Sequence, residues 1–177
     1  MILTTKSFEV LRQHFGKLTQ AQVDGFNFLV LKMKQAGFTY PEAAYGLATT
    51  WLETANTMQP IKERGSDKYL RSKRYWPYIG YGYVQLTWDK NYLKVGKLIG
   101  IDLLKNPERA LEPEVAAKIL TGGMLNGWFT GVGFRRKRSV HRYDHASYVR
   151  ARAIINGTDK AKEIADIAMI MEKALRS

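Results

Sequence analysis

The 177-residue chain has no cysteine, five prolines and three histidines, and it sets 16 acidic residues against 28 lysines and arginines. Without cysteine there is no disulfide to staple the fold, no thiolate nucleophile and no sulfur ligand for a metal. The histidines, at positions 14, 141 and 145, cannot complete a zinc site without carboxylates clustered beside them, so neither a metal nor a cofactor is expected. A phosphate-cradling glycine loop and a serine-centred nucleophile elbow are both missing. No apolar run approaches the length of a membrane span, and the opening Met1 to Lys6 lacks the apolar core of a secretory signal. The expectation is a protein that stays in the cytoplasm where it is made unless something else lets it out.

What is present is enough for one domain, residues 1–177, with a core that needs no staples. Phe8, Leu11 and Phe15 mark a short first helix. Thr19 with Gln22 reads as a capping box that opens a second, whose stripe of Val23, Phe26, Val30 and Met33 runs toward Gly37. From Pro41 the residues Ala44, Leu47, Ala48, Trp51, Leu52 and Ala55 recur every three or four positions and predict a third helix. Tyr92, Val95 and Leu98 predict a helix that stops near Gly100, and Pro113 opens another through Val115, Ile119 and Leu120 toward Gly122 and Gly123. Val149, Ala153 and Ile154 belong to a helix that Asn156-Gly157 ends. A last helix spans about Lys160 to Leu175 with mixed charges on its outer side.

Chemistry concentrates between Ala43 and Asn91. Glu53 falls near the end of the third helix, on a face shared with Gly46, Thr49 and Thr50 that leaves room for a ligand. Carboxylates at a helix C-terminus feel the negative end of the macrodipole, a bias that suits a general acid. Glu63 follows on a loop bounded by Pro60 and Gly65, where Lys62 and Arg64 flank it; it, or its rival Asp67, is a candidate second carboxylate for hydrolysis of a glycosidic bond. Tyr83, Gln85 and Thr87 alternate with Val84 and Leu86, so the segment predicts a short strand with Tyr83, Gln85 and Thr87 turned toward a ligand and the aliphatic pair turned inward. The stretch from Gly127 to Gly133, with Trp128, Phe129 and the following Phe134, reads either as an aromatic border of the cleft or as a loop that tucks its rings into the core.

The net charge of +12 is unevenly spread. Arg135, Arg136, Lys137, Arg138, Arg142, Arg150 and Arg152 face a single acid, Asp144, between positions 132 and 153, and Lys62, Arg64, Lys68, Arg71, Lys73 and Arg74 surround Glu63. Such patches attract an anionic polymer and speed encounter with it. Nucleic acid is one such polymer, with tyrosines interleaved among cations from Tyr69 to Tyr83; no recognised nucleic-acid module accompanies them, and a non-catalytic binding protein of that kind is the rival reading.

Glu53-Thr54, the segment from Gly80 to Thr87 with Asn91 after it, and Ile154-Ile155-Asn156-Gly157 together resemble the ordered signature of family 19 glycoside hydrolases. Thr57 to Glu63 and Gly131 to Arg138 are similar to bacteriophage endolysins of that superfamily, notably those of Acinetobacter phages. The resemblance covers nearly the whole chain. It implies a mainly α, lysozyme-like α+β domain in which a small β-hairpin around Tyr81 to Thr87 lines the substrate cleft. It implies Glu53 as the general acid, Glu63 as the carboxylate that activates water and Thr87 as the hydroxyl that helps hold that water. Gln85, Asn91 and Asn156 match substrate-binding positions, and Tyr83 belongs to the same segment. Leu52 stands where many relatives carry His, and Tyr81 where many carry Arg.

The implied activity is that of a monomeric muramidase that cleaves β-1,4 bonds of peptidoglycan to lyse a host. The implied route runs from the host cytoplasm to the periplasmic wall through a separate permeabilising protein. Hydrolysis of N-acetylglucosamine polymers in the manner of a chitinase is the alternative. Arg135, Arg136, Lys137 and Arg138 form the expected electrostatic patch toward the wall or an anionic outer-membrane lipopolysaccharide, and no nucleic-acid partner is expected.

Overall fold

A computed structural model describes residues 1–135 and 144–177. Among them the chain is mainly helical: α1 (Thr5–Phe15), α2 (Gln20–Gln35), α3 (Tyr40–Glu53), α4 (Asp67–Arg71), α5 (Asp89–Ile99), α6 (Pro113–Asn126), α7 (His145–Ala151) and α8 (Ala161–Leu175). Short 3-10 turns at Pro107–Leu111 and Arg152–Ile154 and one two-stranded sheet complete it. The basic residues Arg136, Lys137 and Arg138, with His141 and Arg142, lie outside the described residues.

The helix starts are written in the sequence. Thr4 with Ser7, Thr19 with Gln22 and Thr39 with Glu42 each form a reciprocal capping box, so the orphan N–H groups of α1, α2 and α3 are met locally. α3 is the central helix. From Pro41 to Trp51 every residue except Glu42 is buried, and its small side chains let neighbours approach closely. α8 packs chiefly on α3, and also on α7 and α1. Ile164, Ala165, Ala168, Met171, Ala174 and Leu175 form the covered face of this last helix. Trp51 lies against Phe15 and Phe26 at centroid distances of 4.6 and 5.9 Å, which ties α1 and α2 to the central helix.

The apolar spacing carries the third helix on through Ala55, but α3 ends at Glu53. Ala55, Asn56 and Met58 take positive φ of 48°, 69° and 55°, a costly conformation for side-chain-bearing residues. Tertiary contacts hold this turn: Gln22 Nε2 donates to the Asn56 carbonyl at 2.8 Å, Gln59 Nε2 to that of Ala21 at 2.7 Å, and Met58 is fully buried. Gly25 of α2 makes the approach possible, since a Cβ there would lie 2.2 Å from the Met58 carbonyl oxygen.

α6 also departs from its expected end. Gly122 and Gly123 do not stop the helix, which runs to Asn126 and is capped by Gly127 at φ +69°. The two glycines serve packing: a Cβ on Gly122 would sit 2.0 Å from the Trp128 ring, and one on Gly123 2.0 Å from the Phe129 ring.

The sheet is minimal. β1 (Ile61–Lys62) pairs antiparallel with β2 (Tyr81–Gly82), Ile61 opposite Gly82 and Lys62 opposite Tyr81. The expected strand from Tyr83 to Thr87 is instead a tight turn that brings Leu86 back to bridge Tyr81, with Gln85 at φ +51°. Alternation fails because the chain coils there, burying Tyr83, Val84 and Leu86 together. The Tyr92 hydroxyl pins the coil, 2.8 Å from the Ile79 carbonyl and 2.9 Å from that of Leu86.

Candidate active site

Four separate segments meet at a cleft of about 380 Å³: the end of α3 with Glu53, the turn from Val84 to Trp88 with Asn91 of α5, Phe129 from the loop after α6, and Ile155 with Asn156. Glu53 is the cleft's only carboxylate among the described residues that line it. Its side chain is 23 % exposed, and its partner is Arg152, 3 % exposed, which donates from both terminal guanidinium nitrogens to Oε1 at 3.1 Å. Arg152 Nε donates to the Asp159 carbonyl at 2.8 Å, which fixes the plane of the guanidinium. All of this grip falls on Oε1. Among the described residues Oε2 accepts no hydrogen bond, so one carboxyl oxygen is left for a ligand.

The polar groups opposite are partly committed and partly free. Thr87 Oγ1 donates to the Gln85 carbonyl at 2.8 Å and keeps its lone pairs. Asn91 Nδ2 donates to the Thr87 carbonyl at 2.8 Å, which leaves Oδ1 to accept. The Asn156 side-chain amide lines the cleft, is exposed, and makes no hydrogen bond among the described residues. Gln85 also lines the cleft, yet its amide nitrogen is spent on the carbonyls of Ile61 and Gly82 at 3.0 and 3.1 Å. That side chain therefore locks the turn to the sheet.

Two expected members are placed elsewhere. Tyr83 is 1 % exposed and does not line the cleft; burial raises its hydroxyl pKa well above the ordinary range, as expected of a core tyrosine. Glu63 is half-buried and is not among the lining residues. Its Oε1 accepts from the Tyr75 hydroxyl and its Oε2 from the Gly80 N–H, both at 2.9 Å. Tyr75 stands edge-on to Trp88, 5.2 Å between centroids, so Glu63 supports the cleft wall through this chain of contacts. Asp67, the alternative second carboxylate, pairs with Lys62 at 3.5 Å on the open surface and is not among the residues that line the cleft.

The aromatic loop after α6 divides between its two expected roles. Phe129 borders the cleft, whereas Phe134 packs edge-on against Phe38 and Tyr45 at 5.8 and 6.0 Å. Arg152 is the residue that sequence reading counted only as part of a charge patch. No local signal marks it, because it meets Glu53 across a separation of 99 residues.

Chitinase C of Streptomyces griseus HUT6037 superposes on 98 % of this chain and 78 % of its own, with a TM-score of 0.64 at 20 % identity. A bacterial family 19 chitinase covers 94 % of this chain and 93 % of its own, with a TM-score of 0.58 at 20 % identity. The fold is that of the family 19 chitinases. No family model matches the sequence. Endochitinase 1 of Theobroma cacao is 48 % identical over 42 residues, which are 23 % of this chain and 13 % of that protein. The matched stretch is thus about an eighth of that curated relative's length. Among the described residues, no helix is long and apolar enough to cross a membrane, and no group of three or more metal-ligating side chains occurs.

Proposed function

We propose that this protein is a glycoside hydrolase that cleaves β-1,4 bonds in polymers containing N-acetylglucosamine, with Glu53 as the general acid. The observation that carries the reading is the asymmetric hold on that carboxyl: Arg152 fixes Oε1, Oε2 accepts no hydrogen bond among the described residues, and Glu53 lines a cleft with Thr87, Asn91 and Asn156. A glycosidic oxygen seated at Oε2 receives the proton as the bond to the anomeric carbon breaks. Thr87 is the hydroxyl placed to hold the attacking water. Asn91 Oδ1 and the Asn156 amide supply the acceptor and donor that an N-acetyl sugar requires, and Phe129 offers an apolar border for a sugar ring.

Chitin-type polymers draw support from the relatives, whose names are those of chitinases. Bacterial peptidoglycan shares the β-1,4 backbone and draws support from a second observation, the net charge of +12, which favours an anionic wall over a neutral polymer. In that reading the protein is an endolysin-type muramidase.

The deciding experiment measures hydrolysis of a neutral N-acetylglucosamine hexamer and of purified peptidoglycan by wild type, Glu53→Gln and Glu63→Gln. Glu53→Gln is expected to lose at least about 1000-fold in kcat on every substrate the wild type cuts, with an unchanged melting temperature. Activity near wild type in that variant removes Glu53 as the acid. Glu63→Gln separates a water-activating role from support of the wall. The first lowers kcat with the fold intact, whereas the second lowers stability and substrate affinity together.

A further inference from the structure

The cleft does not end at Asn91. On α5 the side chains of Asn91, Lys94 and Leu98 follow at intervals of three and four, so they form one ridge that advances about 10 Å along the helix. Asn91 lines the cleft beside Glu53; Lys94 and Leu98 line a second recess of about 400 Å³ together with Asn126, Trp128 and Arg135. On the loop after α6, Phe129 lines the first space and its chain neighbour Trp128 the second. Neighbouring residues on α5 and on the loop after α6 thus line the two spaces.

The chemistry of the recess differs from that of the cleft. It has no acidic lining residue, and it holds two cations that pair with no carboxylate among the described residues. Lys94 Nζ is held by the Trp128 carbonyl, which leaves further N–H donors on the ammonium. Arg135 Nη2 is tied to the Ala36 carbonyl at 3.2 Å, which leaves the rest of its guanidinium edge. Each cation is thus anchored by one bond to backbone and keeps donors for a ligand, so little further ordering is needed when one binds. The half-buried Trp128 ring, seated on Gly122, lines the recess with them. A neutral N-acetylglucosamine chain has no group that needs two cations. A glycan whose alternate sugars carry carboxylate-bearing peptides has such groups close to every bond that can be cut.

We infer that the recess lined by Lys94, Trp128 and Arg135 binds the carboxylate-bearing peptide substituent of a peptidoglycan strand whose sugars lie in the catalytic cleft. The inference rests on the glycosidase reading above and chooses the substrate class within it.

The test uses the full chain as wild type and as the Lys94→Gln/Arg135→Gln double variant, with melting temperature as the fold control. On peptidoglycan the double variant is expected to lose about tenfold or more in kcat/KM, mainly through KM, while its rate on the neutral hexamer stays within about twofold. In parallel, N-acetylmuramyl dipeptide is titrated into Glu53→Gln by NMR. Shifts at Lys94, Trp128 and Arg135 are expected, and esterifying the dipeptide's carboxyl group should weaken binding about tenfold.

Equal losses on both substrates, or no loss on peptidoglycan, overturn the inference, as does esterification without effect. Cleavage of the hexamer with none of peptidoglycan overturns it and leaves the glycosidase reading standing. Cleavage of neither by wild type removes the glycosidase reading and this inference with it.

Discussion

Arg152 and Glu53 show how one residue can be right in type and incomplete in meaning. The position of Glu53 at the end of an amphipathic helix followed from local spacing, but its working geometry depends on a buried arginine that lies 99 residues further along the chain. Burying that guanidinium is tolerable only because Glu53 and the Asp159 carbonyl meet its donors. Arg152→Gln removes the charge and leaves the carboxyl unheld. It is expected to lower kcat on the neutral hexamer by about 100-fold and to cost about 3 kcal/mol of stability, read by steady-state kinetics and urea unfolding. Full activity in that variant would show that Glu53 needs no clamp. The contrast with Gln85 is instructive, because a side chain that lines the cleft is committed to the Ile61 and Gly82 carbonyls and shapes the turn.

At the level of elements, the glycines of α6 carry the clearest reversal. Two consecutive glycines read as a helix stop, yet Gly122 and Gly123 sit inside a helix whose end is set by Gly127. In isolation Gly123→Ala should stabilise that helix by about 1 kcal/mol. In the folded protein a Cβ there would come within 2.0 Å of the Phe129 ring, so overpacking wins. The expected outcome is a net loss of about 2 kcal/mol in urea unfolding and a raised KM, because Phe129 is pushed toward the cleft it borders. A net gain in stability with unchanged KM would mean that the ring moves away freely. The caps behaved differently: the Thr19 and Gln22 box is contained within four residues, and it forms as read.

For the molecule as a whole, the core's tyrosines make stability depend on alkaline pH. Tyr45 is fully buried, with Thr49, Glu53 and Arg152 close enough to act on its hydroxyl. Burial raises its pKa from 10.0 to about 12, with Thr49 and Arg152 offsetting part of the effect. Burial also raises the pKa values of Tyr83 and Tyr92 above the ordinary range. A folded-state value above the unfolded one means that the folded protein keeps its proton longer. The contribution is therefore whole below pH 10 and is lost as pH climbs through about 12. Thermal melts are expected to hold level up to about pH 10 and then to fall. Tyr45→Phe should remove about 3 kcal/mol of that decline while leaving neutral-pH stability unchanged or higher. A decline that is identical in the variant would assign it to other groups.

Those scales mark where the sequence stopped. Spacing and caps determined a mainly helical fold, the lack of cysteine excluded thiol chemistry, and local spacing placed Glu53 near a helix end, because each of these is read from the sequence or from a few neighbouring residues. The tertiary structure alone decided which oxygen of Glu53 is held and that Tyr83 is core. It also gave the Glu63 carboxylate its partners, the Tyr75 hydroxyl and the Gly80 N–H. These depend on partners brought together by packing. A period of two or of 3.6 states which way a side chain points from its own backbone, and it carries no record of what another segment will place there.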